Sequence, residues 1–248
     1  FVPTSGHPGG SISSGRHVAG VLFHALDYDM SDPERADADL FSYAAGHKAM
    51  GLYAMLALRN ETSAAHAYPW ALRNELARIG RPALLPKSAK MQLRLEDLLG
   101  FRRNPTQETP LFTKFRAKPL DGHPTPATPF IKLSTGASGV GVPASFGLAF
   151  GALDAYGASA PLVQITEGEG GMTPGRVAEA FATASAAQMW NVKFHIDWNQ
   201  ASIDSNKVCR EGDKPGDYVQ WDPVEFAYLH DWNVISVPKG HDFRQILA

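Results

Sequence analysis

Residues 165–174 read Ile-Thr-Glu-Gly-Glu-Gly-Gly-Met-Thr-Pro and follow the apolar run Pro161-Leu162-Val163. A strand that ends in glycines and an acid commonly holds a ligand at its carboxyl end. Thirty residues after Glu169 stands Asn199, a spacing that fits one strand–helix–strand repeat and places both residues at neighbouring strand ends. A carboxylate, a side-chain amide and a backbone carbonyl are hard oxygen donors suited to Mg²⁺ or Ca²⁺. Gly168, Gly170 and Gly171 would let backbone N–H groups close on phosphate oxygens, next to the start of a helix. A metal-bound diphosphate answers this pattern. An ordinary glycine-rich turn followed by a capping asparagine answers it too, and the pattern alone does not separate them.

The histidines carry a second signal. Four of the nine, His7, His47, His123 and His241, directly follow a glycine, where composition alone predicts roughly 0.8 such pairs. Glycine frees the backbone to turn and lets an imidazole approach a ligand. Each one alone also reads as a turn histidine with a solvated ring.

Other phosphate and metal patterns are missing. Residues 135–141, Thr-Gly-Ala-Ser-Gly-Val-Gly, lack the Gly-Lys-Ser/Thr of a P-loop. No Gly-x-Gly-x-x-Gly follows a strand, no His-Glu-x-x-His is present, and Cys209 is the only cysteine.

These residues need a scaffold. Residues 38–44, 161–166, 192–197 and 233–237 read as buried strands. Helical patterns cover 11–26, 46–60, 142–157, 173–189 and 223–230. The alternation predicts an α/β fold, a mostly parallel sheet with helices on both faces, with ligands beyond the carboxyl ends of the strands. Residues 81–129, rich in proline and basic residues, predict a long connection or inserted lobe with one helix at 88–99.

The 248 residues suit one domain or two, and 44% apolar with 19% charged residues supplies a large core. A net charge of −2 gives no electrostatic case for nucleic acid or an anionic membrane. No apolar run approaches a membrane span and no signal peptide is recognisable, so a cytoplasmic location is expected; the lone cysteine agrees weakly. A start at Phe1 and an end that reads as an opening helix suggest a piece of something longer.

Taken in order, Ser5–Ser14, Ala44–Leu56, Asp121–Pro124, Leu133–Ala149, Gly168–Ala180 and Ile196–Asp204 resemble the N-terminal thiamine-diphosphate domain of transketolases. The likeness covers nearly the whole chain apart from an insertion near 81–118, which makes 1–248 a single diphosphate-binding domain of a larger or split enzyme. It implies transfer of a two-carbon ketol unit from a ketose to an aldose, with sugar or sugar-phosphate substrates.

By the resemblance, Glu169, Asn199 and the carbonyl of Ala201 hold the Mg²⁺ or Ca²⁺ that anchors the diphosphate, between Gly168 and Gly170. Ile203 packs on the thiazolium ring, and Gly136 with Ser138 lies at the aminopyrimidine. His7, His47 and His123 line the cofactor and substrate channel as proton-transfer groups, and His47 also touches the diphosphate. Three positions depart from the family: Glu169 replaces an aspartate, Pro174 replaces a glutamate of the dimer-interface proton network, and Ser138 replaces a leucine. The activating glutamate belongs to a pyrimidine-binding domain, so a partner half is expected, in a homodimer or an α2β2 assembly. Small residues on the 173–189 helix suit that interface. An E1-like 2-oxo acid dehydrogenase component and a non-catalytic cofactor-binding partner are the alternatives.

Overall fold

The structure is a computed structural model that describes residues 7–28, 35–64, 93–102, 110–202 and 205–248. Its centre is a parallel sheet in the order β1 (Leu40–Tyr43), β2 (Val163–Gly168), β3 (Val192–Asp197). Chain order and spatial order coincide, and Gly168 pairs with Asp197 at the carboxyl edge.

Side-chain alternation splits the sheet into two chemically different faces. Phe41 and Tyr43 join one core cluster with Val18, Leu52, Tyr53 and Leu56, drawn from α1 (Pro8–Gly20) and α2 (Ala49–Ala64). Val163, Ile165 and Val192 join the other with Val142, Phe146, Val177 and Phe181, drawn from α4 (Gly141–Tyr156) and α5 (Gly175–Ala186). Helices on both faces and a parallel sheet are therefore as the sequence predicts. The unexpected feature is the α1 side of β2 and β3. There Gln164 and Thr166 are buried polar groups, His195 bonds Gln164, and Asp197 bonds Ser13 of α1.

Alpha1 begins with Pro8, whose missing N–H costs nothing in a first turn. Its small residues let it lie close on α2: a Cβ on Gly51 would stand 3.1 Å from Ser11 Cβ. Ser11 Oγ donates to the Lys48 carbonyl and accepts from Gly51 N–H, pinning the start of α2. After Gly20 the chain widens into a π-helical turn over Val21–Ala25.

Several boundaries move. The helix expected at 46–60 opens with a 3-10 turn, Gly46–Lys48, before α2. Strand β2 runs two residues further than expected, so Glu167 belongs to the sheet. In the insertion, the part of the 88–99 expectation that is described is a 3-10 segment, Leu95–Gly100, followed by α3 (Pro110–Phe115). Asp97 is fully buried there and accepts from the N–H groups of Arg94 and Lys118, tying the lobe together. Helix α6 (Pro223–Leu229) is capped by Asp222, and α7 (Phe243–Ile246) closes the described chain.

The expected strand at 233–237 does not form. Trp232 stacks on Phe146 at 5.5 Å and donates its indole N–H to the Phe181 carbonyl, so the chain leaves α6 over α4 and α5 instead of alongside β3. Ile235 is consequently 91% exposed, and a cavity of about 240 Å³ lies between Phe194, Ile196 and residues 233–237. Among the described residues no helix is long and apolar enough to cross a membrane.

Candidate functional site

At the carboxyl edge of β2, Gly168 leads into a 3-10 turn, Glu169–Met172. Glu169 is 1% exposed, and its carboxylate accepts from the backbone N–H of Asn199 at 3.3 Å and of Ala201 at 2.9 Å. The Ala201 N–H is also 3.0 Å from Asn199 Oδ1. Glu169 and Asn199 thus aim one oxygen each at a single point, from adjacent strand ends. Burial raises the pKa of Glu169, while the backbone N–H donors and Lys48 lower it.

A divalent cation suits this donor set in type, although the point the two oxygens share is the Ala201 N–H itself. One carboxylate and one amide oxygen meet, and each sp² oxygen has a second lone pair beyond the Ala201 contact. Among the described residues no group of three His, Cys, Asp or Glu side chains could hold a metal by itself. Mg²⁺ is commonly bound by one or two carboxylates with phosphate oxygens completing its shell. A Cβ on Gly170 would meet nothing within 4 Å, so the loop leaves open space beside Glu169.

Behind the loop, Glu167 is 3% exposed and accepts from Gly168 N–H at 2.8 Å. Burial pushes its pKa up to about 7, against that hydrogen bond and the charge of Lys48, which lower it.

Three of the four Gly-His histidines converge. The His7 and His47 rings meet edge to face with centroids 5.5 Å apart. His123 lies against Gly136 and Gly46: a Cβ on Gly136 would stand 2.6 Å from His123 Cδ2, and one on Gly46 3.0 Å from the same atom. Gly46 itself packs on Gly136, where a Cβ would come 2.8 Å from Cα. These glycines are bare because an imidazole and a second backbone occupy the space. Burial drives the pKa of His47 down to about 4, helped by Lys48, His7 and His123. Burial also lowers His123, followed by the charge of Arg102 and His7. Both rings are neutral near pH 7. His7 Nδ1 is buried with no hydrogen-bond partner among the described residues.

The two corners are joined through a buried ion pair. Lys48, directly after His47, places Nζ 2.6 Å from Asp197 Oδ2, and Asn199 Nδ2 donates to the same oxygen at 2.9 Å. The line His47–Lys48–Asp197–Asn199–Glu169 therefore runs continuously along the edge of the sheet.

The remaining sequence expectations fare unequally. Gly168 lies beside Lys48, where a Cβ would stand 3.4 Å from Nζ. Ser138 is exposed in the 137–140 turn and makes no described contact with the histidines. Ile203 lies outside the described residues. His241 is exposed in the turn before α7, where its carbonyl accepts from Arg16, and its ring makes none of the contacts that bring the other three together. Pro174 packs on Gly139, where a Cβ would approach it to 2.5 Å, so it wedges the 135–141 loop. Sequence reading missed Lys48, Asp197 and Glu167. Period-two alternation could have signalled Asp197, since it shares a face with His195; nothing in the sequence pairs it with Lys48 across the sheet.

No protein-family model matches the chain. By sequence it is 27% identical to transketolase-like protein 2 of Mus musculus over 243 residues, 98% of this chain and 30% of that protein. It is 27% identical to transketolase of Homo sapiens over 196 residues, 79% of this chain and 24% of that protein. In fold it is similar to the transketolase from Leishmania mexicana, with a TM-score of 0.68 at 20% identity, covering 98% of this chain and 30% of the other. A transketolase from Campylobacter jejuni gives 0.63 at 20% identity, covering 96% and 33%. The chain thus spans about a third or less of the length of these relatives.

Proposed function

We propose that this chain, a homologue of transketolases with their fold, binds thiamine diphosphate through a divalent cation and forms the diphosphate-binding half of an active site. That site moves a two-carbon ketol unit from a ketose or ketose phosphate to an aldose. The observation that carries the reading is convergence. His7, His47 and His123, scattered through the sequence, meet at one corner, and Lys48, Asp197 and Asn199 connect that corner to Glu169.

Glu169 and Asn199 would hold the cation, with the Ala201 backbone beside them. When bound, the cofactor supplies the nucleophile and electron sink for breaking a carbon–carbon bond beside a carbonyl. The protein's own groups do the rest. Neutral near pH 7, His47 and His123 can each offer one ring N–H donor and one ring-nitrogen acceptor to substrate hydroxyls. His7 Nδ1, without a partner among the described residues, would bond a substrate hydroxyl. Gly46 and Gly136 let those rings close on a ligand.

The relatives are about three times longer than this chain. The proposed unit is therefore completed by a pyrimidine-binding half, on the same longer chain or on a partner, in a homodimer or α2β2 assembly. A soluble, cytoplasmic enzyme fits the reading. Calorimetric titration with thiamine diphosphate in Mg²⁺ or Ca²⁺ tests it: metal-dependent binding is expected. Ketol transfer is expected only after a pyrimidine-binding half is added. Absence of metal-dependent binding overturns the cofactor assignment, and full turnover by this chain as a monomer overturns the half-site.

A further inference from the structure

Lys48 is among the largest fully buried side chains, although it carries a charge. A lysine is buried this way only when its charge is met. Its Nζ meets Asp197 Oδ2 at 2.6 Å, with side-chain exposures of 2% and 15%. The rest of the residue is held as firmly. Its carbonyl accepts from Ser11 Oγ at 2.9 Å and Tyr43 OH at 3.3 Å. Its Cγ fills the space where a Cβ on Gly10 would stand, 2.9 Å away.

Asp197 distributes what Lys48 fixes. Oδ1 accepts from Ser13 Oγ at 3.0 Å, and Oδ2 accepts from both Lys48 and Asn199 Nδ2. An asparagine amide can present either end, and its hydrogen bonds choose which. A carboxylate accepts only, so it draws the NH₂ end of Asn199 toward itself. Oδ1 is thereby turned to the point beside the Ala201 N–H where Glu169 Oε1 also arrives.

We infer that Lys48 is a positioning residue for the cation site, acting through Asp197 to orient the Asn199 amide. Its role is separate from that of its neighbour His47. The inference rests on the cofactor reading above and gives it a mechanism for keeping the oxygen donors aligned before a cation arrives. Without the ammonium, Asp197 keeps only the neutral donors Ser13 Oγ and Asn199 Nδ2, and no counter-charge holds Oδ2 at the position where it meets the Asn199 amide.

A double-mutant cycle tests this, read as metal-dependent thiamine-diphosphate affinity by calorimetry, with thermal unfolding followed separately. Lys48→Met is expected to weaken affinity at least tenfold in the wild-type background and less than twofold in the Asn199→Ala background. Should Lys48→Met fail to fold, Lys48→Met/Asp197→Leu replaces both charges by apolar groups, which proteins commonly tolerate. That pair should fold and still bind at least tenfold more weakly, again with the loss absent once Asn199 is alanine. Equal losses in both backgrounds, or a loss under twofold in the wild-type background, overturn the inference. A wild-type chain that does not bind at all removes the cofactor reading itself, a failure seen before any substitution is made.

Discussion

A methyl group on Gly171 would lie 2.2 Å from Cδ of Glu167 and 2.4 Å from each of its carboxylate oxygens. The side chain of the strand residue occupies the volume that a side chain on the following turn would need. Gly171 is thus a steric requirement of the buried Glu167. Gly171→Ala should destabilise the fold by about 1–3 kcal/mol, the usual cost of overpacking. Glu167→Ala should relieve most of the added strain in the double variant. Urea denaturation of the two single variants and the double checks this; additive losses would contradict it.

Gly136 combines a positive φ of 141° with the His123 contact, so a side chain there is strained and displaces the imidazole. Gly136→Ala should reduce ketol transfer in the completed enzyme at least tenfold. Gly157→Ala, at a positive φ with nothing within 4 Å of its Cβ, is the control for backbone strain alone. It should lower the melting temperature while leaving transfer within twofold. Comparable transfer losses in both variants would remove His123 from the site.

Glu169→Gln keeps the length that reaches the 199–201 turn and one oxygen to accept from it, but removes the charge. Metal-dependent cofactor affinity should fall more than tenfold, with the melting temperature changed by only a few degrees. The amide leaves one of the two backbone N–H groups, the weaker Asn199 contact, without its acceptor, at a cost of about 1 kcal/mol. Calorimetry beside thermal unfolding makes the comparison. A large drop in stability with unchanged metal dependence would reassign Glu169 to holding the turn.

His195 gives a pH signature away from the cation site. It is half-buried between α1 and the sheet, its Nε2 bonds Gln164 Oε1 at 2.7 Å, and its ring lies 4.5 Å from that of His17. Burial, then the charges of His17 and Lys193, bring its pKa down to about 3. Its folded pKa is depressed, so the unfolded chain binds a proton that the native state refuses. The stability it contributes is present above pH 6.5 and is lost as pH falls from 6.5 toward 3, at up to about 1.4 kcal/mol per pH unit. Glu167 works the other way: its pKa is raised, so its contribution is present below pH 4.5 and lost as pH rises toward 7. The difference between wild type and His195→Gln isolates the histidine. The variant should lose stability less steeply between pH 6.5 and 4 in denaturant titrations, and equal slopes would refute this.

The sequence by itself determined the class of fold and the parts of the edge that hold the ligand candidates. Short β-branched runs alternating with longer amphipathic stretches are local patterns, and they located β1, β2, β3 and the helices α1, α2, α4, α5 and α6. The Gly-His pairs and the spacing from Glu169 to Asn199 are also local, and they named the residues of the two corners. Tertiary structure decided everything that depends on what faces what. Residues 233–237 have a strand's composition, yet Trp232 finds a better partner in Phe146 and Phe181 than β3 offers the chain after it. His241 has the same sequence signature as His7, His47 and His123, but it sits in an exposed turn while the others meet around Gly46 and Gly136. Lys48 looks like any helix-start lysine until the sheet brings Asp197 to it across 149 residues of chain. A buried charge is tolerable only beside its counter-charge, and the distance between them is a property of the packed molecule, absent from any stretch of sequence.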